Sequence, residues 1–181
     1  TDRCRAYKCR FREFEDGKAS QLGDYLPAKL GMEDSESIVY MCLPGDYSGD
    51  MLFFFENGKA ARVSVSTYDT KSNRRCLTGA YSDKSPLICA EFILEDCEFV
   101  LGSTDTRTLV FSSSLLAPKT TRTTIGVGVL SLKKGQRLSS VKRLNESGLL
   151  NDKRYRVRSL PAPGALLRPE DIGEQQLELR L

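Results

Sequence analysis

Two loops carry side chains whose types and spacing suit the binding of phosphate. Lys71, Arg74 and Arg75 stand with Ser72, Asn73 and Thr78 ahead of Gly79, and Lys119 and Arg122 stand among Thr120, Thr121, Thr123 and Thr124 ahead of Gly126. A sparser copy, Gly17 to Gly23, carries Lys18. Lys and Arg neutralise phosphate charge, hydroxyls and amides add hydrogen bonds to its oxygens, and glycine lets the backbone approach closely. Lys71 and Lys119 lie 48 positions apart, and Gly79 and Gly126 lie 47 apart. A second set of bases, Arg5, Lys59 and Arg107, recurs at offsets of 54 and 48. Any one such loop, taken alone, reads more readily as a solvated connection of a β protein. Recurrence weakens that reading, because stacking of repeats does not by itself require charge.

Other chemistries find little support. The 181 residues contain no histidine, which removes the commonest general base. Six cysteines (Cys4, Cys9, Cys42, Cys76, Cys89, Cys97) are scattered with no Cys-x-x-Cys pair, so a zinc site would need thiolates from distant places. They read as free thiols in a reducing, cytosolic setting. Ser112-Ser113-Ser114 lacks a basic partner for a nucleophile, and Gly126-Val127-Gly128 lacks the strand–helix context of a dinucleotide loop. Glu33, Asp34 and Glu36 read as a solvated turn. No metal site and no cofactor are expected within the segment, and no apolar run approaches the length of a membrane span. The net charge is +3, but residues 104–143 hold eight bases against one acid, whereas residues 31–50 hold five acids and no base. Such segregation gives a nearly neutral protein a positive face.

The elements that must position the loops recur with them. Each repeat opens with an apolar strand, Met51 to Phe55 in the second copy and Glu98 to Gly102 in the third. A polar turn follows, with Asn57-Gly58 in the second copy, a dipeptide that favours a tight hairpin. The next strands are Arg5 to Phe11, Lys59 to Val65 and Arg107 to Ser112. After the basic loop comes a last apolar strand, Ile38 to Met41, Leu87 to Ala90 and Leu138 to Val141. Phe53-Phe54-Phe55 reads as core. Helix is limited to a turn within Leu22 to Leu30 and another within Ser113 to Leu116. About four strands per repeat at a period near fifty describe an all-β, propeller-like stack of three blades, over residues 1–48, 49–96 and 97–146, since one blade alone cannot cover its apolar faces.

The tail, 147–181, departs from the repeat. Lys153 to Arg158 alternates base with Tyr and Val and reads as an exposed or edge strand; Gln176 to Leu181 alternates cleanly and reads as a final strand. The first copy's opening strand would lie ahead of Thr1, so the sequence reads as a segment of a longer protein. The final strand is then a candidate to cover the edge near Thr1–Phe11, where unpaired backbone is a liability.

The run Gly45 to Val63, with Met51-Leu52-Phe53-Phe54-Phe55 followed by Gly58-Lys59-Ala60-Ala61-Arg62-Val63, resembles the C-terminal repeat of bacterial type IIA topoisomerase A subunits, those of DNA gyrase and topoisomerase IV. Pro118 to Val129 is similar to the basic connection that follows in that repeat. The likeness covers roughly residues 1–145. It implies a partial β-pinwheel, about three repeats of roughly fifty residues with a C-terminal closing segment, that binds and bends duplex DNA on a basic outer rim. On that rim stand Lys18, Lys71, Arg74, Arg75, Lys119 and Arg122, with Arg5, Lys59 and Arg107 secondary. It also implies a cytoplasmic, nucleoid-associated bacterial protein. The B subunit would be its partner through the parent enzyme, and ATP and Mg would be bound elsewhere. No tyrosine nucleophile or metal motif of the parent chemistry is present. The gyrase box is absent from all three copies, which favours a topoisomerase IV-like role over strong chiral wrapping. Cys4 and Thr106 replace the turn glycine in the first and third copies. The alternative function is a β-repeat module that binds protein and not DNA.

Overall fold

A computed structural model describes residues 1–70 and 74–173. Its strands are β1 (Arg5–Tyr7), β2 (Asp50–Phe55), β3 (Lys59–Ser64), β4 (Cys76–Thr78), β5 (Leu87–Ile93), β6 (Glu98–Ser103), β7 (Arg107–Ser112), β8 (Val127–Gly128), β9 (Leu138–Arg143) and β10 (Ala165–Leu166). The α-helix among these residues amounts to α1 (Leu26–Leu30) and α2 (Asp152–Tyr155), with a few single 3-10 turns. The fold is all-β.

Two sheets share one plan. β5-β2-β3-β8 and β9-β6-β7-β10 are antiparallel, each built on a central hairpin. Each hairpin gains a strand from its own repeat on one side (β5, β9) and a short strand from the downstream sequence on the other (β8, β10). The first two blades are thus closed by residues that follow the next hairpin, which locks neighbouring blades together. The third sheet, β1-β4, is the same plan with only its last two strands.

Register makes the repeat exact to the residue. Arg5 pairs with Thr78, Lys59 with Gly128 and Arg107 with Leu166, so the three bases spaced by 54 and 48 occupy one structural position. The hairpin turn is equally preserved. The N–H groups of Cys4, Gly58 and Thr106 donate to Thr1, Phe55 and Ser103 at 3.2, 2.9 and 3.1 Å. All three take positive φ: 53°, 77° and 59°. Only Gly58 does so without the steric penalty of a Cβ. Asn57 keeps negative φ, so the turn closes on one left-handed residue and not on two.

The apolar strands explain the stacking. Alternation sends successive side chains to opposite faces, and β2 is apolar on both. Leu52 and Phe54 join Phe99, Leu101, Leu109 and Phe111 in a core between the second and third blades. Phe53 and Phe55 join Ala61, Val63, Leu77 and Tyr81 in a core between the first and second. Phe54 packs with Phe99 at 5.1 Å between centroids, and Phe53 stacks on Tyr81 at 5.2 Å. Arg62 ties the layers together, pairing with Asp50 at 2.7 Å and Asp96 at 2.8 Å.

Several expectations give way. Arg5 to Phe11 is a strand only to Tyr7, and a 3-10 turn takes over at Phe11–Glu13. Ile38 to Met41 forms no strand, for no strand among the described residues pairs with it. Gly79 and Gly126 are not equivalent: with Thr78 matched to Gly128, Gly126 aligns with Cys76. Lys153 to Arg158 is α2 followed by an extended turn. The ion pair of Arg156 with Asp152, at 2.5 Å and four residues apart, suits a helical turn, and Tyr155 is buried with its hydroxyl donating to Asp171 at 2.5 Å. Gln176 to Leu181, and with it the proposed cover of the Thr1–Phe11 edge, lies outside the described residues. Glu36 is no solvated residue: its buried carboxylate accepts from the Tyr7 hydroxyl at 2.8 Å, from Arg5 at 3.4 Å and from the Thr1 hydroxyl.

Candidate nucleic-acid interface

The basic loops sit where the chain crosses between blades. The next strand after β3 is β4, which belongs to the preceding blade; after β7 the chain runs through 113–126 into β8, again in the preceding blade. A crossing segment cannot be buried in either sheet, so its polar side chains face solvent or its neighbours. The two crossings touch. Arg122 donates to Thr67 O at 2.9 Å and Gly79 O at 3.3 Å, and its guanidinium lies 5.7 Å from the centre of the Tyr68 ring.

That geometry divides the bases into two groups. Arg122 is engaged by backbone carbonyls and an aromatic face. Arg5 is neutralised by Glu33 at 2.7 Å and Glu36 at 3.4 Å. Arg107 donates to Gly164 O at 3.1 Å and lies 3.5 Å from Asp105. Arg75 pairs with Glu13. The side chains of Lys18, Lys59, Arg74 and Lys119, by contrast, have no ion-pair or hydrogen-bond partner among the described residues. Lys71 lies outside those residues.

Lys119 is the best anchored of the second group. Its N–H donates to Arg62 O at 2.8 Å and its carbonyl accepts from Ser64 at 3.0 Å, which pins the backbone on β3 while the side chain stays exposed. Lys18 is held only within its own loop, where its N–H meets Gln21 Oε1 at 2.8 Å. Arg74 opens on a cleft that the sequence did not single out. Lys8, Arg10 and Arg12, on the stretch leaving β1, face Arg74 and Arg75 across it, with Glu13, Asp69 and Thr70 on its walls. The bond from Lys8 N–H to Arg75 O, 2.7 Å, holds the two sides together. The Lys8 ammonium is oriented by Thr70 Oγ1 at 2.8 Å and Tyr68 O at 3.2 Å and meets no carboxylate among the described residues. A signal existed: Lys8, Arg10 and Arg12 alternate with other residues immediately after a strand. Five bases against two acids make this concavity suited to an anion.

The glycine ahead of β8 has a packing role. A Cβ on Gly126 would lie 2.3 Å from Ala60 O, and one on Gly164 2.8 Å from Thr108 O, at the matching position of the next blade. These glycines let the closing strand approach the hairpin; they are not freed for a ligand.

Blades built on a hairpin and closed by a strand from downstream define a β-pinwheel. Solved structures share this fold. The C-terminal domain of DNA topoisomerase IV superposes with a TM-score of 0.67 over 82% of this chain and 46% of that one, at 21% identity. The DNA gyrase A C-terminal domain superposes with a TM-score of 0.57 over 91% of this chain and 57% of that one, at 17% identity. The chain thus spans about half the length of these structures. By sequence, no protein-family model and no curated protein matches it.

Proposed function

We propose that this protein is a non-catalytic DNA-binding domain of a type II topoisomerase A subunit. It binds and bends duplex DNA through phosphate contacts and so assists ATP-dependent strand passage. The observation that carries the reading is the set of bases at and beside the blade crossings, Lys18, Lys59, Arg74 and Lys119, that have no ion-pair or hydrogen-bond partner among the described residues. Arg74 opens on the cleft with Lys8, Arg10 and Arg12, and Lys119 stands on the adjoining crossing. Leaving cations unpaired contributes nothing to folding, whereas Arg62 and Arg143 on the same blades are tied to acids. Contacts of this kind read charge and backbone spacing, not base sequence. The fold shared with the two topoisomerase domains supports the assignment. The setting is then the bacterial cytoplasm at the nucleoid, with the B subunit, ATP and Mg engaged by other parts of the enzyme.

Salt dependence tests it. Affinity for a duplex falls as a power of salt concentration, with a slope of about −0.9 per phosphate neutralised. Replacing Lys119 and Arg74 together by Gln lowers the slope by about two, with sequence preference unchanged. A duplex affinity absent at low salt, or a slope untouched by the double replacement, overturns the proposal.

A further inference from the structure

The stretch between β9 and β10 is placed on the third blade by the same hydrogen bonds that place the crossing of the second. Lys119 N–H donates to Arg62 O at 2.8 Å, and Val157 N–H donates to Val110 O at 2.9 Å. Arg62 and Val110 are equivalent by the count that matches Lys59 with Arg107. Val127 and Gly128 pair with Ala60 and Lys59 as Ala165 and Leu166 pair with Thr108 and Arg107, and Gly164 stands where Gly126 does. Each of these matches spans 38 positions, so residues 157–166 follow the course of 119–128 one for one. The third blade thus has a crossing segment, although a 3-10 turn and α2, not a hairpin, lie between β9 and β10. A basic cleft recurs with it. Lys153, Arg156 and Arg158 line a concavity with Glu98 and with Val110 to Ser112 of β7. Counted from Arg107 and Arg5, Val110 to Ser112 occupy the places of Lys8 to Arg10, which line the cleft of the first blade.

We propose that Lys153 and Arg158 form a further phosphate-binding site, for the backbone of the same duplex that Arg74 and Lys119 contact. The path of that duplex then runs over all three blades. The inference rests on the DNA-binding reading and extends it to residues outside the repeat. Arg156 is engaged by Glu98 and Asp152. Tyr155 is buried, its hydroxyl donating to Asp171 and accepting from Arg168 N–H at 3.1 Å. These two anchors fix the backbone between Lys153 and Arg158. Both of those residues are exposed, and neither side chain has an ion-pair or hydrogen-bond partner among the described residues. Two cations left unneutralised on a fixed stretch of backbone add nothing to folding, but they lower the ordering cost of meeting an anion. Lys119 stands on the blade between the two clefts, so unpaired charge is present on each successive blade. Phosphates spaced along a duplex suit such a series, whereas a single small anion would occupy one cleft alone.

The test replaces Lys153 and Arg158 together by Gln and, as a control of equal charge, Lys133 and Lys134 together by Gln. The control bases are exposed too, but they lie toward the other end of β7, by the turn where Thr104 N–H meets Arg137 O. The salt slope of duplex affinity is measured for both variants beside the parent protein and the Arg74/Lys119 variant. The Lys153/Arg158 variant lowers the slope by about two, the four replacements at Arg74, Lys119, Lys153 and Arg158 lower it by about four, and the control leaves it nearly unchanged. A parent-like slope in the Lys153/Arg158 variant, or an equal fall in the control, overturns the inference; the DNA-binding reading still stands if the Arg74/Lys119 variant loses its two. A parent protein without duplex affinity at low salt overturns both.

Discussion

The hairpin turns allow a prediction with opposite signs at equivalent positions. Thr106 holds φ at 59° although it is β-branched, and Gly58 holds 77° at the matching place. A left-handed residue with a Cβ costs about 1–2 kcal/mol. Thr106→Gly removes that cost and gives back about 0.4–1 kcal/mol through the freer unfolded chain. The Thr106 hydroxyl donates at 2.7 Å to the adjacent Asp105 carbonyl, a local bond that water replaces. The net expectation is a gain of about 0.5–1 kcal/mol, or a rise of roughly 1–4 °C in Tm for a chain of this size. Gly58→Ala runs the other way. The new Cβ would meet Leu130 O at 2.3 Å and Leu132 Cδ1 at 3.0 Å, while Gly58 O accepts from Val129 at 2.9 Å and Leu130 at 3.0 Å. The turn cannot retreat without loosening β8 closure, so the left-handed cost is joined by about 1–3 kcal/mol of disturbed hydrogen bonding. A loss of about 2–5 kcal/mol follows from the two terms. Urea unfolding of both variants beside the parent measures each. Destabilisation by Thr106→Gly, or a neutral Gly58→Ala, would refute the reasoning, since either means that the turn does not enforce positive φ.

Three further outcomes are expected. Arg122→Gln lowers stability by about 2 kcal/mol through two charge-assisted hydrogen bonds and a ring contact while leaving the salt slope of duplex binding nearly intact; Lys119→Gln does the reverse, and melts beside salt titrations separate them. Burial opposes charge on Glu36, but the Thr1 and Tyr7 hydroxyls, the Glu33 amide and Arg5 outweigh it and hold its carboxyl below the usual carboxylate range. A depressed folded-state pKa gives stability that is present above the ordinary Glu value, about 4.3, and is lost as pH falls through the folded value, so Glu36→Gln should flatten the acid limb of a stability–pH curve. In thiol labelling of the folded protein Cys9, which is exposed, reacts first; Cys89, which burial and Glu91 push up to about 11, reacts last, and mass mapping of the labelled sites would expose a reversed order.

Much of the architecture was legible because the repeat is written in residue types with strong local meaning. Phe53-Phe54-Phe55 announced a strand buried on both faces, and its side chains do divide between two cores. The spacing of Arg5, Lys59 and Arg107 reported true structural equivalence. The pairing of Gly79 with Gly126 misled, because loop lengths differ between copies and only the hydrogen-bond ladder fixes the register. Lys153 to Arg158 misled for another reason: its alternation suits a strand, but burial of Tyr155 against Asp171 and the Asp152–Arg156 pair favour a helical turn. The cleft of Lys8, Arg10, Arg12, Arg74 and Arg75 joins segments more than sixty residues apart, which no local pattern reveals.

The sequence by itself determined the all-β class, the period near fifty, the hairpins and the places where charge gathers, because each follows from side-chain alternation, turn chemistry and composition along a short stretch. Only the tertiary structure decided which bases are unoccupied. Arg5, Arg107 and Arg122 carry the same charge as Arg74 and Lys119, and what separates them is whether the fold brings a carboxylate or carbonyl within reach of the guanidinium. It decided, too, that each blade is closed by a strand from downstream, since that pairing depends on how far the crossing loop reaches and not on the residues of the blade it completes.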